Sequence, residues 1–275
     1  MQIVGVSLVR NEDRFLRRAL LNVAHFCDRL FVADHLSDDE TPEVLAELAR
    51  ELDHLEVRRV RHAAESHAFV ERLAGTGTWV LSVDGDELYD PAGLELLRAA
   101  LEGGEYDGTF RLRPAGLHCD FLDVEERVAA GYLSPPSRPL VGLLNLGALE
   151  SWTNVRSERL HGGDVVFRPG FDWESWRHLG AEHGWDESPF RCLHVCFLRR
   201  SSRDPELLPA TGRPNLGETG AYRRGALGVV ERLARWALGR SLGDRRETSA
   251  WKAEKYRRGE RVSVDAAPFL GHARA

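Results

Sequence analysis

Apolar positions in the first hundred residues switch between two periods. Ile3 to Val9 is a near-continuous apolar run, the pattern of a strand covered on both faces. Leu16, Leu20, Val23 and Cys27 then recur at helical spacing behind Asn11, a helix-capping residue type. Leu30 to Ala33 reads as a second buried strand. Thr41-Pro42 opens a helix whose apolar face is Leu45, Leu48 and Leu52. Leu55 to Val57 is a third strand, residues 64–74 a helix and 79–83 a fourth strand. Pro91 starts a further helix through Leu94, Leu97 and Leu101. Repeated strand–helix units predict an α/β fold with a mostly parallel central sheet and helices on both faces.

After Gly108 the rhythm changes. Thr109 to Arg113 alternates, as a half-exposed, antiparallel strand would, and residues 131–150 are rich in Pro, Gly and Leu, a loop with short structure. Val165 to Phe167 and Leu193 to Leu198 read as strands. Residues 201–219, with Pro205, Pro209, Gly212 and Pro214, read as a linker or loop. Residues 220–275 read as a helical extension with Leu227, Val230, Ala234, Ala237 and Leu238 on one face. The expected organisation is thus a domain over 1–200, in halves 1–108 and 109–200, then the linker and the extension.

Composition is that of a globular protein. No apolar run approaches a membrane span, and Met1 leads straight into the first strand, so neither a transmembrane segment nor a signal peptide is expected. Four scattered cysteines fit a reducing cytoplasm better than a disulfide framework. Cys192-Leu-His194-Val-Cys196 has zinc-like spacing, but no second ligand pair is evident, and strand alternation explains it as well. Net charge is −6, yet Gly220 to Arg261 holds twelve Lys/Arg against five Asp/Glu, so the acid excess lies in the body. An acidic body excludes a nucleic-acid-binding one. The basic extension reads as a helix docked on that body, as a homo-oligomer contact, or as a surface for peripheral membrane association.

The chemistry concentrates at strand ends. Trp79 to Val83 is followed by Asp84-Gly85-Asp86-Glu87, where two carboxylates one residue apart call for a cation between them. An EF-hand loop is excluded, because Leu88 and Tyr89 stand where a ligand and a glycine are required. Val9-Arg10-Asn11-Glu12 and Asp34-His35-Leu36-Ser37-Asp38-Asp39 end two other early strands. A parallel sheet brings such ends to one edge, where ligands of open α/β sheets bind.

These stretches, with Val166 to Gly170 and Leu193 to Arg199, resemble the GT-A-fold glycosyltransferases, specifically the inverting family 2 group, over roughly residues 1–200. The resemblance implies a Rossmann-like sheet that binds a nucleoside-diphosphate sugar and passes the sugar to a small-molecule or glycan acceptor with inversion. It implies nucleotide contacts from Val9, Arg10, Asn11, Glu12, Asp34, Asp84 and Gly85. It places Mn2+ or Mg2+ on Asp84 and Asp86, with His194 a further ligand. His35-Leu36 departs from the Asn/Asp-Gly usual there. Asp172, Glu174, Glu182 and Asp186 are the candidates for the one catalytic base, and Trp173, Trp176 and Trp185 crowd the acceptor side. A non-catalytic nucleotide-sugar-binding protein is the alternative on the same fold. A sugar-1-phosphate nucleotidyltransferase is disfavoured, since Arg10-Asn11-Glu12-Asp13 lacks that class's glycine-rich loop.

Overall fold

A computed structural model describes residues 1–137, 140–153, 159–206, 254 and 256–271. Its first sheet has seven strands in the order β12-β6-β9-β4-β1-β2-β3. β1 (Gln2–Val9), β2 (Arg29–Asp34), β3 (Leu55–Arg59) and β4 (Thr78–Ser82) run parallel. β9 (Leu143–Asn145) lies antiparallel between β4 and β6 (Arg111–Arg113), and β12 (Trp176–His178) runs parallel to β6. β6 thus alternates and pairs antiparallel with β9, as expected, while pointing the same way as β4.

The near-continuous apolar run of β1 has the predicted cause. Val4, Val6 and Leu8 enter one core, while Ile3 and Val9 enter the core on the opposite face. On the Ile3 side pack α1 (Leu16–Ala24), α2 (Thr41–Glu51) and α4 (Pro91–Glu102), through Leu16, Leu20, Leu45, Leu48, Leu94 and Leu97. The other face is covered by a 3-10 turn (Ala63–His67), the single-turn α3 (Ala68–Glu71) and the hairpin of β10 (Leu149–Thr153) and β11 (Asp164–Phe167). The expected helix over 64–74 is therefore split and short, and α1, α2 and α4 share one face. Strand order explains this. Steps from β1 to β2 to β3 move one way along the sheet, and the return to β4, beyond β1, carries its connection to the other side.

A second sheet, β14-β8-β7-β13-β5, has five strands. β5 (Glu87–Tyr89) follows β4 after four residues, and β7 (Ala115–Asp123) follows β6 after one. β8 (Val128–Leu133) pairs with β7, and β13 (Arg191–His194) lies between β7 and β5. Both halves of the chain thus contribute to both sheets, and no sheet boundary falls at residue 108. α5 (Leu179–Glu187) links β12 towards β13.

The extension is only partly within the described residues; the linker beyond 206 and the apolar face at 227–238 lie outside them. What is described is not helical throughout. Arg261–Asp265 forms β14, paired antiparallel with β8, followed by α6 (Ala267–Leu270). The reason is in the sequence: Val262 and Val264 alternate with Arg261, Ser263 and Asp265, a period of two. Among the described residues, no helix is long and apolar enough to cross a membrane.

Candidate active site

β1 lies between β2 and β4, so the chain reverses its direction of spread at the β1/β4 boundary. A crevice forms at such a point, outside the carboxyl ends of the strands. The loops that open there are Arg10–Glu12 and Val83–Asp86, with Asp34–Ser37 beside them.

The first two of the expected loops are stitched together by side chains. Asn11 adopts φ +55, a left-handed conformation that Asn tolerates. Its backbone N–H donates to Ser37 Oγ at 2.9 Å, and its Nδ2 donates to Asp38 Oδ1 at 2.7 Å. The Asp38 N–H returns a bond to Asn11 Oδ1 at 2.9 Å. The Glu12 N–H donates to Thr41 Oγ1 at 2.8 Å. Asp34 is buried, accepts from the Ser37 N–H at 2.9 Å and has Arg59 Nε 3.8 Å away. His35 is fully buried with Nε2 3.1 Å from the Arg61 carbonyl. Leu36 has φ +53, which accounts for the glycine usual at this position in the resembling family.

The Asp84–Glu87 loop joins the two sheets. Gly85 is needed for space: a Cβ there would meet Glu12 Cβ at 2.9 Å and Val9 Cγ1 at 3.4 Å. The glycine brings the loop against the Arg10–Glu12 loop. Asp84 is about two-fifths exposed and ion-paired to Arg159. Asp86 is buried and ion-paired to Arg200, whose Nη1 also lies 3.5 Å from Glu12 Oε1. His194 Nε2 is 3.4 Å from Asp86 Oδ2.

Two cations unsuspected from the sequence thus answer the two acids. Arg159 is buried and donates to the carbonyls of Val6 and Val83, both at 3.3 Å, and to Ser82 Oγ at 3.2 Å. Burial works against the charge of Arg200, but Asp86 and Glu12 outweigh it and hold the guanidinium charged. Burial likewise opposes a charge on His194, and Cys196 and Asp86 raise its pKa above the usual imidazole value. For Glu87 the compensation from His194 and the Asp84 N–H is outweighed. Burial first, then the Asp84 charge, push its carboxyl up to about 8, and Tyr89 Oη donates to it at 3.1 Å.

Carboxylate oxygens are the donors that a hard divalent cation takes. Carboxylates of Asp84 and Asp86 stand on one short loop, and those of Asp86 and Glu12 share one guanidinium. A divalent ion would replace guanidinium charge in that cluster.

Three of the four candidate bases hold other side chains. Asp172 Oδ1 accepts from Ser175 Oγ at 2.8 Å, and Glu174 Oε2 accepts from Trp176 Nε1 at 3.3 Å. Both precede β12, so their backbone enters the sheet from the end opposite the Asp84 loop. Glu182 pairs with Arg177 at 2.6 Å. The Asp186 carbonyl is 3.5 Å from Arg191 Nη1, near the start of β13, whereas His194 ends that strand. Trp173 is half-exposed beside Phe167, Arg113 stacks on Trp176 at 4.1 Å, and Trp185 stacks on Phe269 in the second sheet's core. No acid or aromatic signal in the sequence distinguished these surroundings. Arg159 and Arg200 were missed because neither belongs to a spaced motif.

No protein-family model matches the chain. A TPR repeat-containing protein of Synechococcus elongatus is 36% identical over 86 residues, 31% of this chain and 21% of that protein. The chain therefore spans about a fifth of the length of that curated relative. Among solved structures, a mannosyltransferase from Pyrobaculum calidifontis in complex with GDP-Man and Mn2+ is similar at 16% identity and TM-score 0.40, over 92% of this chain and 84% of that one. A glucosyl-3-phosphoglycerate synthase from Mycobacterium tuberculosis is similar at 17% and 0.33, over 42% and 44%. A mannose-6-phosphate isomerase from Helicobacter pylori gives 11% and 0.35, over 54% and 72%.

Proposed function

We propose that this chain is a GT-A-type glycosyltransferase that moves a sugar from a nucleoside-diphosphate sugar to an acceptor hydroxyl with inversion. The observation that supports it is the meeting of three loops at the strand-order reversal: Arg10–Glu12, Asp34–Ser37 and Asp84–Asp86, tied by Asn11 to Asp38 and by Arg200 to both Glu12 and Asp86. In this reading Asp34, fixed by the Ser37 N–H, faces the base, and the Val9–Glu12 backbone lines the nucleotide. Asp84 and Asp86 would hold Mn2+ or Mg2+, with His194 fixing the direction of the Asp86 carboxylate. When bound, the ion neutralises charge that gathers on the departing diphosphate. Inversion also needs a carboxylate that takes the acceptor proton. Asp186 and, once parted from Arg177, Glu182 follow β12 at its ligand-side end and are the acids from which this reading draws it.

A second reading, nucleotide-sugar binding without turnover, is favoured by one feature: both acids of the loop already hold internal arginines. The test is a thermal-shift series of nucleoside diphosphates with and without Mn2+, followed by product analysis with nucleotide sugars. A ligand for the native state raises the melting temperature with concentration. Metal-dependent stabilisation together with release of nucleoside diphosphate supports the transferase. Stabilisation without turnover supports the binder, and a product that keeps the donor's anomeric configuration excludes inversion.

A further inference from the structure

The second sheet carries a polar row that the cleft does not use up. In register, His118 on β7 faces Tyr132 on one side and His194 on the other, and His194 faces Glu87. Residues opposite one another share a face of the sheet. The adjacent register, Leu133, Leu117, Leu193 and Leu88, belongs to or packs on an apolar core. The polar row is therefore confined to one face, and Cys196, two residues beyond His194, is brought to it.

His118 Nδ1 and His194 Nδ1 face each other at 2.9 Å. A ligand atom from each of His118, His194 and Cys196 lies within 4.8 Å of the others, and all three residues are buried. On one tetrahedral ion with N/S bonds of about 2.0–2.3 Å, the ligand atoms would stand roughly 3.3–3.6 Å apart. To reach that spacing the two Nδ1 atoms, 2.9 Å apart, would part slightly and any longer separation would contract. Asp86 Oδ2, 3.4 Å from His194 Nε2, is placed to hold a proton on that nitrogen and so leave Nδ1 as the donor lone pair. A carboxylate behind a ligating histidine does this in metal sites generally. The Tyr256 ring lies against both imidazoles, with centroids 4.4 Å and 5.3 Å away.

We propose that His118, His194 and Cys196 form a separate thiophilic metal site of the zinc type behind the nucleotide cleft. Two imidazoles and a thiolate select Zn2+ over the Mg2+ or Mn2+ that carboxylates favour, and three protein ligands leave a fourth position open. Binding takes Cys196 as thiolate and displaces the proton between the two Nδ1 atoms. His194 then serves this ion through Nδ1, not the nucleotide's cation through Nε2. The sequence offered only Cys192, His194 and Cys196 in a row; the missing partner, His118, is 76 residues away and opposite His194 in register. A bound ion would also fix the turn that carries Arg200 to Asp86.

The test uses the full chain, stripped with a chelator and titrated with Co2+. The expected result is one equivalent bound, with tetrahedral visible bands and a thiolate-to-cobalt charge-transfer band that Zn2+ abolishes. Cys196→Ser should lose the charge-transfer band, and His118→Gln should lose the rise in melting temperature that Zn2+ gives the wild type. Asp84→Asn should keep both signals. Absence of the band in the folded wild-type chain overturns the proposal, and so does its persistence in Cys196→Ser. Mn2+-dependent nucleotide binding, measured on the same stripped protein, separates failure of this site from failure of the transferase reading.

Discussion

At the scale of single residues, the two acids of the Asp84–Asp86 loop differ in kind. Asp86 and Arg200 are both buried, so removing the carboxylate strands a guanidinium without its main counter-charge. Breaking a buried pair in this way costs about 3–5 kcal/mol. Asp86→Asn should therefore show a large drop in urea-unfolding free energy as well as loss of metal-dependent nucleotide binding. Asp84 is partly solvated, and its buried partner Arg159 keeps its bonds to the Val6 and Val83 carbonyls and to Ser82 Oγ, so Asp84→Asn should lose binding with a smaller drop. Equal stability losses in the two variants would contradict this division. Glu87 adds a pH dependence. Its carboxyl is held neutral to about pH 8 in the folded metal-free chain, whereas an unfolded glutamate ionises near 4.5. Between those values unfolding releases a proton, so stability falls as pH rises, by on the order of a few kcal/mol. Below pH 4.5 the contribution is fully present, and above about 8 it is gone. In EDTA, the melting temperature of Glu87→Gln relative to wild type should climb from pH 5 to pH 8. A pH-independent difference would mean that Glu87 is ionised in the folded protein.

At the scale of elements, local spacing predicted what local spacing controls. The runs of β1, β2 and β4 and the apolar stripes of α1, α2 and α4 were legible because each buries its own pattern in a core. The site loops were legible because acids at the ends of parallel strands must share an edge. What was not legible depends on pairing between distant segments. β14 joins β8 across more than a hundred residues, and His118 meets His194 only once β7 and β13 are in register. Leu36 sits in a left-handed conformation that its residue type conceals. Gly131 is another pairing effect. A Cβ there would lie 2.1 Å from the His118 carbonyl oxygen and 2.8 Å from Cys119 Cα, both backbone atoms that cannot turn aside. Gly131→Ala should force β7 and β8 apart and cost about 1–3 kcal/mol, or more. Chemical denaturation would measure it, and an unchanged midpoint would mean that the two strands are not held at this spacing. Through His118, the same variant should also weaken Zn2+ uptake.

At the scale of the whole molecule, residues 261–270 belong to the fold. β14 pairs with β8 from Arg261 opposite Tyr132 to Asp265 opposite Val128, giving β8 a partner on its outer edge. Phe269 is fully buried in the core of the second sheet and stacks on Trp185, and its carbonyl accepts from Asn22 Nδ2 at 2.7 Å. Asn22 Nδ2 also donates to the Tyr89 carbonyl at 2.7 Å, so one side chain of α1 joins the chain's end to the strand that follows the Asp84 loop. Removing residues 220–275 would bare a strand edge, a template for association, and open an apolar core at once. The truncated chain should aggregate at concentrations where the intact one does not. Phe269→Ala separates these effects, because it keeps the paired edge but empties the core, with an expected loss of about 3–5 kcal/mol. A membrane role for the basic tail makes a different prediction: truncation would abolish binding to anionic vesicles and leave the unfolding free energy of the body unchanged. Vesicle flotation and urea unfolding on the same two proteins decide between them. Unaltered stability in both Phe269→Ala and the truncation would detach the tail from the fold.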